Sequence, residues 1–272
     1  MVRKDETARA IAQVEGITRR YRSAVVAYSG GVDSSLLACL SNGAIKTLAL
    51  IADSPSVPRR ELENALSFAR EHGIECRTFK AEEMSDPGYV ANRGDRCYHC
   101  KREIYGKMVD IARSLGYEVV MDGTNADDLK DDRPGLMAAR ELGIVFPFCE
   151  AKVTKRQIRE MSKRLGLRTW DKPSSPCLSS RIPVGKRVTK EALERVERAE
   201  ELLRSVGFRV VRVRDDPPEA RVELDVVDVD RVKEISDMIK ALGYDKVLVS
   251  KDGYVEPQKR GKRKGKGGFQ GV

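Results

Sequence analysis

Val25-Val26-Ala27-Tyr28-Ser29-Gly30-Gly31-Val32-Asp33-Ser34-Ser35-Leu36-Leu37-Ala38 is the stretch that decides the fold. A short apolar run feeds a Ser-Gly-Gly turn, and a helical apolar pattern starts directly after Asp33 and Ser34. Strand, glycine loop and helix in that order make a pocket for an anion. The glycines let backbone N–H groups converge, and the helix start adds a partial positive charge. The hydroxyls of Ser29, Ser34 and Ser35 can add donors. No lysine follows the glycines, so this is not the P-loop that ends in Gly-Lys-Ser/Thr. An acid inside a phosphate loop makes sense if Asp33 holds Mg²⁺ against the phosphates. For Gly-Gly alone, a tight turn with a Ser or Asp cap is the plain alternative. The full Ser-Gly-Gly-Val-Asp-Ser string behind a buried strand favours ATP.

Outward from this stretch, strand and helix patterns alternate. A lead-in helix is expected over 5–20, strands over 24–28 and 47–52, and a helix from Ser34 to about Leu40. A helix over 58–72, a strand over 74–79, a helix over 98–115 and the buried run Val119-Val120-Met121 follow. Repeated β-α alternation predicts an α/β fold with a doubly wound, mostly parallel sheet, whose ligands sit at the carboxyl ends of the strands. Two features fall at such ends: Asp53, suited to ribose or metal or simply to a turn cap, and the turn Asp122-Gly123-Thr124-Asn125-Ala126-Asp127-Asp128. The acidic turn is expected to complete the ATP pocket or the Mg²⁺ shell, with a solvated loop as the alternative.

After an amphipathic helix over 154–166, the run from Trp170 to Gly185 breaks every period with three prolines and four serines. A long loop of this kind in a compact protein is often functional. The expected organisation is a nucleotide domain over 1–170, an active-site loop and linker over 171–188, a small α+β domain over 189–255 and a basic, disordered tail over 256–272. In the small domain the patterns read as helix 189–206, strands 209–214 and 220–226, helix 229–242 and strand 245–250.

The chain carries a net charge of +9, of which Lys259, Arg260, Lys262, Arg263, Lys264 and Lys266 against Glu256 supply +5. The body is therefore only mildly basic, and contact with nucleic acid is expected through the tail or not at all. No long uncharged apolar run offers a membrane span, and the first residues lack the apolar core of a signal peptide, so a cytoplasmic location is expected.

Six cysteines without a secretion signal do not read as a disulfide framework. Cys39 and Cys76 lie in core-type segments, and Cys149 is ambiguous. Cys97-Tyr98-His99-Cys100 is a C-x-x-C pair in a basic setting, and Cys177 lies in the serine loop. If the fold brings the loop over the sheet, three thiolates converge. A 4Fe-4S cluster on three cysteines leaves one iron open for a sulfide or a substrate atom. Zinc on the three cysteines and His99 is the structural alternative, and a thioredoxin-like pair is another reading.

The Ser-Gly-Gly-Val-Asp-Ser loop resembles the PP-loop of the N-type ATP pyrophosphatases, which cleave ATP between the α and β phosphates. Together with Asp122–Asn125, Asp132-Arg133-Pro134-Gly135, Cys177-Leu178-Ser179-Ser180-Arg181 and Arg212-Val213-Arg214, the chain resembles the LarE family of ATP-dependent sulfur transferases. The resemblance runs nearly the whole chain and fails only at the tail. It implies a mononucleotide substrate of the pyridinium-3,5-dicarboxylate type on the way to a nickel-pincer nucleotide cofactor. ATP would adenylylate the substrate carboxylate, releasing pyrophosphate, and a sulfur nucleophile would displace AMP. It also implies an ATP site of Ala27, Ser29, Gly30, Gly31, Asp33, Ser34, Asp53, Gly123, Thr124 and Asn125, with Asp33 on Mg²⁺ and Asp33, Ser34 and Cys177 catalytic. Ser180, Arg181, Arg212 and Arg214 would hold the substrate phosphate, with Glu200 and Asp230 as weaker candidates. On residue pattern alone, Arg212 and Arg214 facing Arg221 and Glu223 would be an ion-pair ladder.

In the family's sacrificial form the cysteine matching Cys177 gives up its own sulfur and ends as dehydroalanine; Arg181 beside it would lower the thiol's pKa. Cys97 and Cys100 depart from that form and resemble the three-cysteine variety, in which a cluster delivers sulfide from an external sulfur donor. The three thiols otherwise share no purpose, which favours the cluster. Rival readings are a tRNA thiolation enzyme, an amide-forming relative of NAD or asparagine synthetases, and an ATP-binding RNA module using the tail. The family's members assemble, so a homo-oligomer is expected.

Overall fold

The computed structural model describes residues 2–130, 134–254 and 268–272. The chain divides into two compact units, Met1–Ser175 and Pro176–Val272.

In the first unit, helix α1 (Val2–Thr18) leads into β1 (Ser23–Ala27), α2 (Val32–Ala44), β2 (Lys46–Asp53), α3 (Arg59–Glu71) and β3 (Cys76–Lys80). Short α4 (Pro87–Ala91) and long α5 (Arg96–Ser114) come before β4 (Val119–Asp122), and α6 (Pro134–Glu141), α7 (Pro147–Glu150) and α8 (Lys155–Arg164) follow it. The sheet order is β3-β2-β1-β4, and all three pairings are parallel. Every residue of β1 is buried. Ala24 and Val26 belong to the core under α2 and α8, whereas Val25 and Ala27 belong to the core under α5. Alternate side chains thus enter cores on opposite faces, as a doubly wound sheet requires. Between β1 and β4 the order of strands reverses, and the crevice at their carboxyl ends is where such sheets bind ligands.

The second unit holds α9 (Lys190–Ser205), β5 (Val211–Asp216), β6 (Glu219–Leu224), α10 (Val229–Lys233), α11 (Ser236–Lys240), β7 (Lys246–Ser250) and β8 (Phe269–Gly271). Its mixed sheet runs β5-β6-β7-β8, with only β6 and β7 parallel. Two expectations change here. The single helix over 229–242 is two short ones, because the backbone leaves helical geometry at Ile235 (φ −117°, ψ 4°) and the Ser236 hydroxyl bonds back to the Lys233 carbonyl at 3.1 Å. The basic segment expected as a disordered tail lies outside the described residues over 255–267, but its last residues are ordered. Phe269–Gly271 pairs with β7, and Val272 packs against the core. A free edge on β7 is a strong template for such pairing, which charge counting does not register. Among the described residues, no helix is long and apolar enough to cross a membrane.

Candidate active site

The glycine loop joins β1 to α2. Gly30 sits at φ +67°, and a Cβ there would lie 2.6 Å from the Cβ of Ala65. Only glycine fits that close approach to α3. Gly31 caps α2 without any side-chain hydrogen bond, which leaves the first-turn amides of a 13-residue helix available to a ligand. Ser34 Oγ accepts from the Ser29 amide at 3.2 Å and lies 3.1 Å from the Ser29 hydroxyl, so the two serines brace the loop.

The acidic turn after β4 meets the same helix start. A Cβ on Gly123 would lie 3.0 Å from both the Asp33 carbonyl carbon and the Ser34 amide, so this glycine admits backbone contact. Asp122 Oδ1 accepts from the amide and hydroxyl of Thr124. Buried Asn125 donates to Asp33 Oδ1 at 3.3 Å and to Asp128 Oδ2 at 2.6 Å. The structure therefore brings Ser29, Gly30, Gly31, Asp33, Ser34, Gly123, Thr124 and Asn125 together around the carboxyl ends of β1 and β4, with Ala27 closing β1. Asp53 is engaged elsewhere. Its carboxylate pairs with Lys80 and Arg59, and hydrogen bonds from both hold its pKa below the usual carboxylate range. Asp132 and Arg133 lie outside the described residues.

Several neighbours were not legible as site residues. Lys155, the first residue of α8, forms an ion pair with Asp33 through its ammonium and donates its amide to Asp127 Oδ2 at 3.0 Å. Its one sequence signal is a cation at the start of a helix whose first turn holds no acid, against the macrodipole. Lys172 donates to the Gly30 carbonyl at 2.9 Å and pairs with Glu61 at 2.6 Å. The Cys149 thiol donates to the Thr124 carbonyl at 3.2 Å, and burial, then the charges of Asp128 and Asp122, push its pKa up to about 11. That resolves an ambiguous cysteine as a protonated strut of the turn. Cys39 and Cys76 are core thiols, raised by burial to about 12 and about 11.

Cys97 and Cys100 stand one turn apart at the start of α5, the first exposed and the second half-buried. Their spacing turns both thiols to one side of the helix. His99 is not available as a zinc ligand, since Nδ1 lies 3.2 Å from Asp86 and Nε2 3.4 Å from Asp95. Unit 1 alone thus holds two of the three cysteines, one turn apart on α5. Among the described residues, no group of three or more His, Cys, Asp or Glu side chains is placed to hold a metal ion.

In the second unit, the arginines gather round one acid. Glu200 is fully buried; it accepts from Arg181 at 2.8 and 3.2 Å, from Arg204 at 2.7 Å and from the Val213 amide at 3.2 Å. Burial alone would raise its pKa, but Arg181 and then Arg204 and Arg212 hold it below the usual range. Arg181 also donates to the carbonyls of Pro176 and Cys177 at 2.7 and 3.0 Å and to the Ser180 hydroxyl at 2.9 Å. It is enclosed and engaged, and its bonds position the Cys177 loop rather than an open phosphate site. Arg214 donates to the Ser180 carbonyl at 2.9 Å and forks onto Glu223 at 2.8 and 3.3 Å. Buried Arg212 lies over the Tyr254 ring at 5.0 Å, and burial together with the charge of Arg181 lowers its pKa. Arg181, Arg204, Arg212 and Arg214 outnumber Glu200 and Glu223, so the cluster keeps surplus positive charge suited to a phosphate. Asp230 does not belong here: its side chain is 91% exposed and pairs with Lys233.

A family model for NAD synthase matches residues 12–89, which span the glycine loop. A pyridinium-3,5-bisthiocarboxylic acid mononucleotide synthase of Lactiplantibacillus plantarum is 36% identical over 73% of this chain and 73% of its own. The chain belongs to the LarE family. It is an ATP-dependent sulfurtransferase that forms AMP and pyrophosphate, built on the PP-loop fold. An uncharacterised Synechocystis protein is 46% identical over 74% of this chain and 76% of its own. An uncharacterised protein of Methanocaldococcus jannaschii is 32% identical over 85% of this chain and 90% of its own.

Proposed function

We propose that this LarE-family enzyme adenylylates a carboxylate of a pyridinium-3,5-dicarboxylate mononucleotide and replaces one of its oxygens with sulfur, as a step towards a nickel-pincer nucleotide. One observation carries the reading. In the second unit Cys177 and the arginine cluster are one structure, since Arg181 binds the carbonyl of Cys177 and the carboxylate of Glu200, while Arg214 binds the carbonyl of Ser180. A sulfur-bearing loop built onto a positively charged cluster suits a phosphate-bearing acceptor of sulfur. Arg212 and Arg214 would hold the substrate phosphate, with Ser180 beside them, and Arg181 would set the loop.

At the PP-loop the residues from Ala27 to Ser34 and the Gly123–Asn125 turn would hold Mg-ATP, with Asp33 on the metal. The substrate carboxylate oxygen attacks the α-phosphorus, the bond to the β-phosphate oxygen breaks, and pyrophosphate leaves with the electron pair. In the sacrificial route the Cys177 thiolate attacks the acyl carbon and AMP leaves. Loss of the Cys177 Cα proton and cleavage of its Cβ–S bond then leave sulfur on the product and dehydroalanine in the chain. Alternatively, Cys97, Cys100 and Cys177 would hold a 4Fe-4S cluster, which when bound supplies sulfide from an open iron. The shared setting of Cys97 and Cys100 supports the cluster, and the positioning of Cys177 by Arg181 supports either route.

Anaerobic purification with iron and acid-labile sulfide assays, followed by intact mass measurement after turnover, separates the routes. Iron and sulfide with Cys177 unaltered establish the cluster. Loss of the mass of hydrogen sulfide at Cys177 establishes the sacrifice. An unaltered, iron-free protein that still makes thiocarboxylate would remove both.

A further inference from the structure

Gly30 and Gly31 flank one peptide group of the loop that would hold ATP, and two glycines set little steric limit on which way that group faces. Nor does α2 orient it. The helical ladder begins one residue later, where the Ser35 amide bonds to the Gly31 carbonyl at 2.9 Å. In a planar trans peptide the C=O and the N–H point in opposite directions, so whatever fixes the Gly30 carbonyl also fixes the Gly31 N–H. Lys172 supplies that constraint, donating to the Gly30 carbonyl at 2.9 Å. The lysine is itself held at both ends. Its ammonium pairs at 2.6 Å with Glu61 in the first turn of α3. Its own carbonyl accepts from Arg159 of α8 at 3.0 Å, and the same guanidinium bonds the Trp170 carbonyl at 2.7 Å.

We infer that Lys172 is a positioning residue for the pyrophosphate portion of ATP: by holding the Gly30 carbonyl it turns the Gly31 N–H towards the phosphates, without touching the nucleotide itself. A cation on the carbonyl also polarises the peptide group and makes that N–H a stronger donor. The donor is then already aimed when charge gathers on the departing pyrophosphate, and no reorganisation is needed at that moment. Without the lysine, the same pair of glycines would let the peptide group rotate and carry the donor away. The inference rests on the reading that ATP binds at the PP-loop.

Calorimetric titration of the full chain with pyrophosphate, Mg-ATP and AMP tests it in wild type, Lys172→Met, Lys172→Arg and Glu61→Gln. Lys172→Met should weaken pyrophosphate and Mg-ATP about tenfold, the worth of one well-aimed donor to a charged group, and leave AMP unchanged. That loss should persist at about 0.5 M KCl, where a charge acting through space is largely screened. Lys172→Arg should recover most of the affinity. Glu61→Gln leaves the ammonium on the Gly30 carbonyl, so pyrophosphate should bind within about twofold of wild type. Unchanged pyrophosphate and Mg-ATP affinity in Lys172→Met overturns the inference. An equal loss for AMP, an equal loss in Glu61→Gln, or a loss that disappears at high salt overturns it too. Those results would mark a general brace of the loop, a clamp to α3 and a through-space charge. Wild-type protein that binds neither pyrophosphate nor Mg-ATP removes the ATP reading, and the inference with it. If Lys172→Met does not fold, the double variant with Glu61→Gln, which leaves no unpaired carboxylate, is read in the same way.

Discussion

Arg181 and Glu200 show how far a single residue's surroundings can alter its role. On its motif alone Arg181 is a phosphate ligand. In place it is enclosed, and its guanidinium joins α9 to the loop that carries Cys177. Breaking one side of a buried ion pair leaves an uncompensated charge, so Glu200→Gln should destabilise the second unit by about 3–5 kcal/mol in urea unfolding. A loss near zero would mean that the arginines find other partners. The pair also has a pH signature. Because the folded pKa of Glu200 is depressed, its stabilisation is fully present above the ordinary glutamate value of 4.5 and is lost as pH falls through the folded value. Acid unfolding of the wild type should therefore steepen below about pH 4.5, and Glu200→Gln should flatten that slope. An identical acid slope in the variant would show that another carboxylate governs it. Arg204 and Tyr254, which complete the cluster, carry no motif; they enter only because α9 and the turn after β7 place them there.

At the level of elements, the glycine loop is the part most sensitive to small changes. Gly30→Ala would force a side chain into a left-handed backbone and against Ala65, costing about 1–3 kcal/mol in stability and weakening ATP. Gly123→Ala, where the Cβ would press on the start of α2, should weaken ATP with little change in the urea midpoint. Nucleotide affinity unchanged in both variants would argue that the β1–α2 crevice is not the ATP site. The β-α-β units and this loop were legible because their apolar periods and turn residues agree with the tertiary outcome. The break at Ile235 and strand β8 were not. One depends on a serine hydroxyl competing with the backbone, and the other on an unpaired sheet edge supplied by distant residues. A chain ending at Tyr254 should lose the β8 pairing and the burial of Val272, about 1–2 kcal/mol, and the β7 amides should exchange faster with solvent deuterium. Unchanged exchange in β7 would show that β8 adds nothing to the sheet.

For the whole molecule, the sequence patterns announced an α/β sheet and a smaller α+β unit, and family membership followed from motifs spread along both. Charge compensation was far less legible, since partners such as Lys155 for Asp33, or Arg59 and Lys80 for Asp53, meet only when separate elements fold together. Those pairings occupy both acids near the strand ends, Asp33 through Lys155 and Asp53 through Arg59 and Lys80. The reaction itself is tested most directly with anaerobically purified protein, Mg-ATP and a pyridinium-3,5-dicarboxylate mononucleotide, with products resolved by mass spectrometry. The expected result is AMP and pyrophosphate in step with a product in which sulfur has replaced one carboxylate oxygen, and no such product from Cys177→Ala. ATP left uncleaved in the presence of that mononucleotide, or sulfur transferred equally well by Cys177→Ala, would contradict it.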